Sequence, residues 1–269
     1  MHPLPEIQHD RGPRPLGGRR AARRDHAPAG LRDGDALPRG WHAILFNAAL
    51  PQLALGEDGF VPPPADLGLQ RPRLMLGGRR TTYAGDIPIG APVRRKRHLL
   101  SQTAKEGRSG RLVLVTRRHE IHVADQPMPA VVEEEDLVYR EAGGAAPAGE
   151  PPPPGRPASR AETVTPDETL LFRYSSVTFN AHRIHYDLPY AQAVEGYPAL
   201  VVNGGLTALL LLRLHARVAG RPPASVAARN RRPLYCGRPV TLKAEPEGAA
   251  WQLWAEDETG RPALEMQIE

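Results

Sequence analysis

One cysteine, Cys236, and three lysines, Lys96, Lys105 and Lys243, are all that a chain of 269 residues contains of either type. A single thiol excludes an intrachain disulfide, and no Cys/His spacing resembles a zinc site. A reducing, cytoplasmic compartment is the expectation. Long apolar runs are scarce too. The longest, around residues 206–214, falls short of the roughly 20 residues of a membrane span and is broken by Arg213. No apolar segment behind a charged one opens the chain in the manner of a leader, so a soluble protein with no membrane partner is expected. The formal charge of +5 is carried almost entirely by arginine. Richness in Arg, Ala, Pro and Gly together more often reflects a composition-biased genome than a function. No DNA- or RNA-reading motif accompanies the charge, so no nucleic-acid partner is expected.

What is present is arranged twice over. Residues 1–36 are rich in Arg, Pro, Gly and Asp without periodicity and read as a poorly ordered N-terminal arm. Residues 37–46 read as a short apolar helix started by Pro38. Residues 56–90 are broken by Pro62, Pro63, Pro64, Pro72, Gly77, Gly78 and Pro88, which is loop chemistry with room for one short strand. Residues 93–102, 111–123 and 131–139 read as antiparallel strands. Residues 143–165, with prolines at 151–154, form an extended linker that cannot supply a core. Residues 37–142 and 166–269 are then two units of one order, helix followed by meander. The second has a Leu-rich helix and strands over 224–231, 239–244, 251–255 and 263–268. The acidic run Glu133, Glu134, Glu135 and Asp136 reads as a solvated strand end with no role.

Polar, titratable residues meet the longest apolar run within residues 172–217. A strand-like run containing Leu170, Leu171, Phe172, Tyr174 and Val177 leads into Thr178-Phe179-Asn180-Ala181-His182-Arg183-Ile184-His185. Two imidazoles and a carboxamide thus fall within six residues. A helical turn starting near Asn180 would bring Asn180 and His185 to one water or substrate oxygen. Further on, Asn203 reads as the N-cap of a helix that is apolar nearly all round and hence buried. Gly204 and Gly205 in its first turn would let a ligand reach backbone N–H groups at the positive end of the helix dipole. Such a terminus can bind an oxyanion.

This stretch resembles the signature of the MaoC-like, hydroxyacyl-thioester dehydratase type 2 families. There an Asp-x-Asn-Pro-(Ile or Leu)-His segment is followed by a His-Gly pair that opens a buried helix. The resemblance implies the α+β class and a hotdog fold, here a double hotdog of two units, each a central helix wrapped by an antiparallel sheet. It also implies a cofactor-independent hydro-lyase that adds water to acyl thioesters or removes it. The family's acid falls on Asn180, its Asn on His182, its Pro on Arg183, its catalytic histidine on His185 and its His-Gly pair on Asn203 and Gly204. Asn180 cannot ionise, so His185 would carry proton transfer alone. The wording TFNAHRIHYD, then YA, then EGYP is similar to a subgroup acting on mesaconyl-CoA or itaconyl-CoA, in which Asn is usual at this place. LGEDGF, PPP and MLGGRR also resemble family members, which implies a loop near the CoA and acyl site. Arg79 and Arg80 are then candidate phosphate or carboxylate contacts, against a plain reading as solvated surface arginines.

The roles that follow give His185 the activation of water and the return of its proton, Asn180 the positioning of that water, and the Gly204 N–H the thioester enolate oxygen. His182, Arg183, Asn203, Gly205, Arg79 and Arg80 complete the expected substrate-binding set. His182 is balanced between function and holding the loop. Arg183 is balanced between a substrate carboxylate and a pair with Asp187. Tyr174 reads as a core or rim aromatic, and His215 as part of an exposed helix end. The expected substrate is a short branched dicarboxylic enoyl-CoA. A dehydratase acting on carrier-protein thioesters, docked through the basic surface, is the alternative, and a silent thioester-binding protein the second. No metal or cofactor is expected, and a homodimer is.

Overall fold

The computed structural model describes residues 10–11, 30–47, 50–63, 67–69, 72–107, 110–141 and 155–269. The rest of the expected arm and most of the expected linker lie outside these. In chain order the strands of the first half are β1 (Asp10–Arg11), β2 (Pro72–Tyr83), β3 (Val93–Gly107), β4 (Gly110–Val123) and β5 (Val131–Glu141). Those of the second half are β6 (Arg160–Val164), β7 (Ser225–Asn230), β8 (Val240–Glu247), β9 (Ala250–Glu256) and β10 (Pro262–Ile268). The helices are α1 (Glu168–Thr178), α2 (Leu188–Ala193) and α3 (Gly204–Ala219).

The strands pair antiparallel in one sheet of order β1-β3-β4-β5-β2-β7-β10-β9-β8-β6. From either edge inward, each half runs first, third, fourth, fifth and second strand. The two second strands, β2 and β7, meet at the centre with Arg79 opposite Ala228. This is a double hotdog, and its repeat is complete in topology where sequence identity is faint.

Several elements differ from the sequence expectation. Residues 72–83, expected as loop with at most a short strand, form the 12-residue β2. Gly77 and Gly78 look like breakers, yet they serve a bulge between Leu76 and Gly78 and the seam itself. A Cβ on Gly78 would stand 2.5 Å from Ala228 O, so only glycine lets β7 come this close. Residues 160–164, expected as linker, form β6 and pair with β8. The run containing Leu170, Leu171 and Tyr174 was expected as strand and is helix α1. Asp167 caps it, its side chain accepting from Leu170 N at 2.8 Å. Its buried residues Leu171, Tyr174 and Ser175 have the i, i+3, i+4 spacing of a helix face.

The Leu-rich helix α3 lies against β8, β9 and β10, with Leu206, Leu210, Leu211 and Leu214 buried. Each such leucine contributes about 1.5–3 kcal/mol. His215, expected at an exposed end, is 2% exposed and stacks edge-on to Trp251. The helix expected over residues 37–46 is instead a single 3-10 turn, Trp41–Ile44. Gly40 before it sits in the left-handed region at φ 88, where a Cβ would lie 2.7 Å from Leu209 and Leu212 of α3. Ten residues are also too few for a helix to persist without tertiary support. One helix therefore serves both halves. Leu45, Phe46, Tyr83, Val93, Ile121 and Val131 of the first half join the α3 leucines in one core. Among the described residues no helix is long and apolar enough to cross a membrane.

Candidate active site

Helix α1 ends at Phe179, a non-glycine residue at φ 51, which turns the chain back so that Asn180 N donates to Ser175 O at 2.8 Å. Asn180 Oδ1 then accepts from His182 N at 3.0 Å, an Asx turn, and the 3-10 turn Arg183–His185 follows. A loop of the first half straps this segment down. Arg183 N donates to Asp58 O at 2.8 Å and Arg183 Nη1 to Glu57 O at 3.0 Å. Gly59, at φ 78, lies so close that a Cβ there would overlap Ala181 O. The LGEDGF loop is thus part of the site's scaffold.

His185 is 7% exposed. Its Nδ1 lies 2.7 Å from Val201 O. A carbonyl can only accept, so the tautomer assigned here has the proton on Nδ1 and the lone pair on Nε2. Burial pushes the imidazole down to about 4, with the Val201 bond opposing and His182 adding to the fall. At neutral pH it is an uncharged base. His182 packs edge-on to it with ring centroids 5.5 Å apart. Burial lowers the pKa of His182 as well, against the charges of Asp58 and Glu195.

These groups border a cavity of about 970 Å³ between the two halves. Of the nine site residues expected from the sequence, Asn180, His182, His185, Asn203, Gly204, Gly205 and Arg79 line it. Asn203 holds the cap position of α3 but makes no cap bond. Both atoms of its amide are buried and unpaired among the described residues. A Cβ on Gly204 would stand 2.8 Å from Asn230 Oδ1, and one on Gly205 would overlap the Tyr174 hydroxyl. The paired glycines are therefore needed for packing, while they also leave the first N–H groups of α3 open.

Arg183 and Arg80 do not line the cavity. Arg183 donates through Nε and Nη2 to Asp187 Oδ2 at 2.9 and 2.7 Å and lies over the Tyr190 ring at 4.1 Å. Its pairing with Asp187 occupies the guanidinium that was a candidate for a substrate carboxylate. Arg80 is exposed and grips Asp136 through two nitrogens at 2.5 and 2.9 Å. Arg79, one residue earlier on β2, faces the opposite way. Its Nη2 donates to Glu135 Oε1 at 2.9 Å and its Nε lies 3.8 Å from Glu133 Oε1.

The acidic run is therefore no solvated strand end, since its alternate members face inward. Glu133 also lies 3.0 Å from His42 Nε2 and accepts from Thr81 Oγ1 at 3.2 Å. Burial alone would raise the Glu135 carboxyl, but His119 and the charge of Arg79 overcome it and hold the group at about 2. Sequence reasoning missed this network. The strand period offered the signal, because four acids in a row on a strand must put two on each face. Among the described residues no group of His, Cys, Asp and Glu could hold a metal ion.

The fold defines a hotdog-fold enzyme, and a neutral histidine, His185, borders its cavity. The chain belongs to the hydroxyacyl-thioester dehydratase type 2 family, which its residues 40–236 match, and it is a hydro-lyase. It is 41% identical over 252 residues to the mesaconyl-C(4)-CoA hydratase of Chloroflexus aurantiacus, covering 90% of this chain and 87% of that one. HtdX of Mycobacterium tuberculosis, 20% identical, superposes with a TM-score of 0.63 over 89% of this chain and 91% of its own. The peroxisomal multifunctional enzyme type 2 of Drosophila melanogaster is 16% identical with a TM-score of 0.60, over 72% of this chain. This chain spans 36% of that longer protein. The two structural likenesses concern the fold.

Proposed function

We propose that the protein hydrates the α,β double bond of an enoyl-CoA, and that its substrate is a short branched dicarboxylic thioester such as mesaconyl-C(4)-CoA, giving citramalyl-CoA. Itaconyl-CoA, whose methylene double bond lies one carbon further from the thioester, would give the same product by addition of water across that bond. One observation carries this reading: a neutral, buried His185, oriented by Val201 O, borders the same cavity as the glycine-opened end of α3. His185 Nε2 takes a proton from water, Asn180 helps position that water, and the Gly204 N–H receives the thioester oxygen as it gains charge. His182, Asn203 and Gly205 shape the acyl site. The dicarboxylic assignment draws on the 41% identity to the Chloroflexus hydratase. Of the three candidate arginines, Arg79 is the one at hand for a second carboxylate, because Arg80 and Arg183 are engaged away from the cavity.

The test is purified enzyme with mesaconyl-C(4)- and crotonyl-CoA, followed at the enoyl-thioester absorbance band, and with itaconyl-CoA, followed by chromatography of the hydrated product. Faster turnover of the dicarboxylic thioesters is expected. The absence of turnover with all three would sink the proposal and leave a silent thioester-binding protein. Presenting one acyl group on CoA and on carrier protein separates the hydratase from a carrier-protein dehydratase, and sedimentation tests the expected homodimer.

A further inference from the structure

The hydration step needs two things from the protein, a base and a place for negative charge, and Asn180 supplies neither. It cannot ionise, and its Oδ1 is bonded to His182 N at 3.0 Å. Beside Asn203 and Asn230, a further polar side chain stands at the open end of α3. Tyr174, on α1, borders the cavity and is 9% exposed. Its hydroxyl lies over Gly205 so closely that a side chain at 205 is excluded, and Arg79 Nη1 is 3.6 Å from that same excluded position. No hydrogen bond among the described residues uses this hydroxyl. A buried tyrosine normally finds a partner for its O–H. Arg79 is held in place by Glu135 and Glu133.

We propose that Tyr174 is a catalytic residue whose hydroxyl donates a hydrogen bond to the thioester oxygen, beside the backbone N–H groups that open α3. The inference rests on the hydratase reading above. Water gives a proton to His185 Nε2 while its oxygen bonds to the β-carbon. The carbon–carbon π pair moves toward the thioester carbonyl, whose own π pair settles on oxygen. Tyr174 O–H and the helix N–H groups hold that enolate oxygen. His185 then returns the proton to the α-carbon, the carbonyl re-forms, and Tyr174 keeps its proton throughout. Burial raises the Tyr174 pKa, with the Arg79 charge opposing and the Glu133 charge adding to the rise, so the O–H is intact at neutral pH and available to donate. This also gives the half-buried Arg79–Glu network a purpose, since it holds the Arg79 guanidinium next to the donor.

Tyr174→Phe removes one oxygen and keeps the ring that packs in the core. With mesaconyl-C(4)-CoA, kcat should fall about 100-fold or more, with KM within about twofold and the melting temperature nearly unchanged. A fluorinated tyrosine at 174, whose hydroxyl ionises at lower pH, should shift the alkaline limb of the kcat profile down, which a merely structural role would not do. A kcat for Tyr174→Phe within twofold of wild type overturns the proposal, as does an unmoved alkaline limb. If wild type itself hydrates no enoyl thioester, the hydratase reading falls and this proposal with it. Turnover by wild type with an unaffected phenylalanine variant removes Tyr174 alone.

Discussion

The two halves have the same strand order and opposite interiors. In the second, the sheet presents Leu242, Ala244, Leu253, Ala255 and Met266, all at most 1% exposed, to an apolar helix. In the first, the corresponding helix is one 3-10 turn, and the inner face near the seam carries His42, Arg79, Thr81, Glu133 and Glu135. An antiparallel face can be closed in either way, by apolar packing or by charges that satisfy one another. Without a long helix of its own, the first half borders a cavity of about 970 Å³, and its charges hold Arg79 beside the end of α3.

The largest expected effect breaks the catalytic side of this comparison. His185→Ala should lower kcat about 10²–10⁴-fold, read from loss of the enoyl band, and intact turnover would place the base elsewhere. Next comes the charged face. Arg79→Met leaves Glu133 and Glu135 without their cation. Removing one partner of a fully buried pair costs about 3–5 kcal/mol, and the 30% exposure of the Arg79 side chain lowers that figure. Urea unfolding should show the loss, and adding Glu135→Gln should recover part of it. No recovery would mean that the network is not energetically coupled. With respect to specificity, Arg79→Met should lower kcat/KM for mesaconyl-C(4)-CoA more than for crotonyl-CoA, whereas Arg183→Met should not discriminate.

A pH effect of similar size sharpens the same point. Burial lowers the His185 pKa to about 4 from an ordinary 6.5, so below 6.5 the unfolded chain takes up a proton that the folded chain refuses. The stability this represents is fully present above pH 6.5 and is lost as pH falls through about 4, on the order of 3 kcal/mol in all. Chemical denaturation across this range should show the loss, and His185→Gln should flatten it. The kcat/KM of wild type should stay level through neutral pH and fall on its acid side only near 4. Gly205→Ala should cost about 1–3 kcal/mol by overlap with the Tyr174 hydroxyl. The penalty should shrink in a Tyr174→Phe background, and additive penalties would refute the contact. Smallest is Arg80→Met, a surface pair with Asp136, expected to change stability by no more than about 1 kcal/mol.

Much of the site could be read in the chain because its parts are local. The spacing from Asn180 to His185, the asparagine and paired glycines at 203–205 and the apolar length of α3 lie within 40 residues. The readings that failed turned on side-chain contacts that periodicity does not show. Leu170, Phe172 and Val177 suit either strand or helix, and the cap at Asp167 decides for helix in α1. Arg183 was a candidate for a substrate carboxylate until the fold left it paired with Asp187 and Glu57 O.

The sequence by itself determined the meanders, the buried helix and its glycine-opened end, because periodicity and turn chemistry act over a few residues. The tertiary structure alone decided which arginine of the Arg79-Arg80 pair faces the cavity, which acids of the run at 133–136 face inward, and that residues 37–46 would not stay helical. Each of those depends on a surface contributed from far along the chain: β5 opposite β2, or Leu209 and Leu212 of α3 pressing on Gly40. A side chain's fate on a strand is fixed by which face is covered, and the covering elements come from elsewhere in the fold.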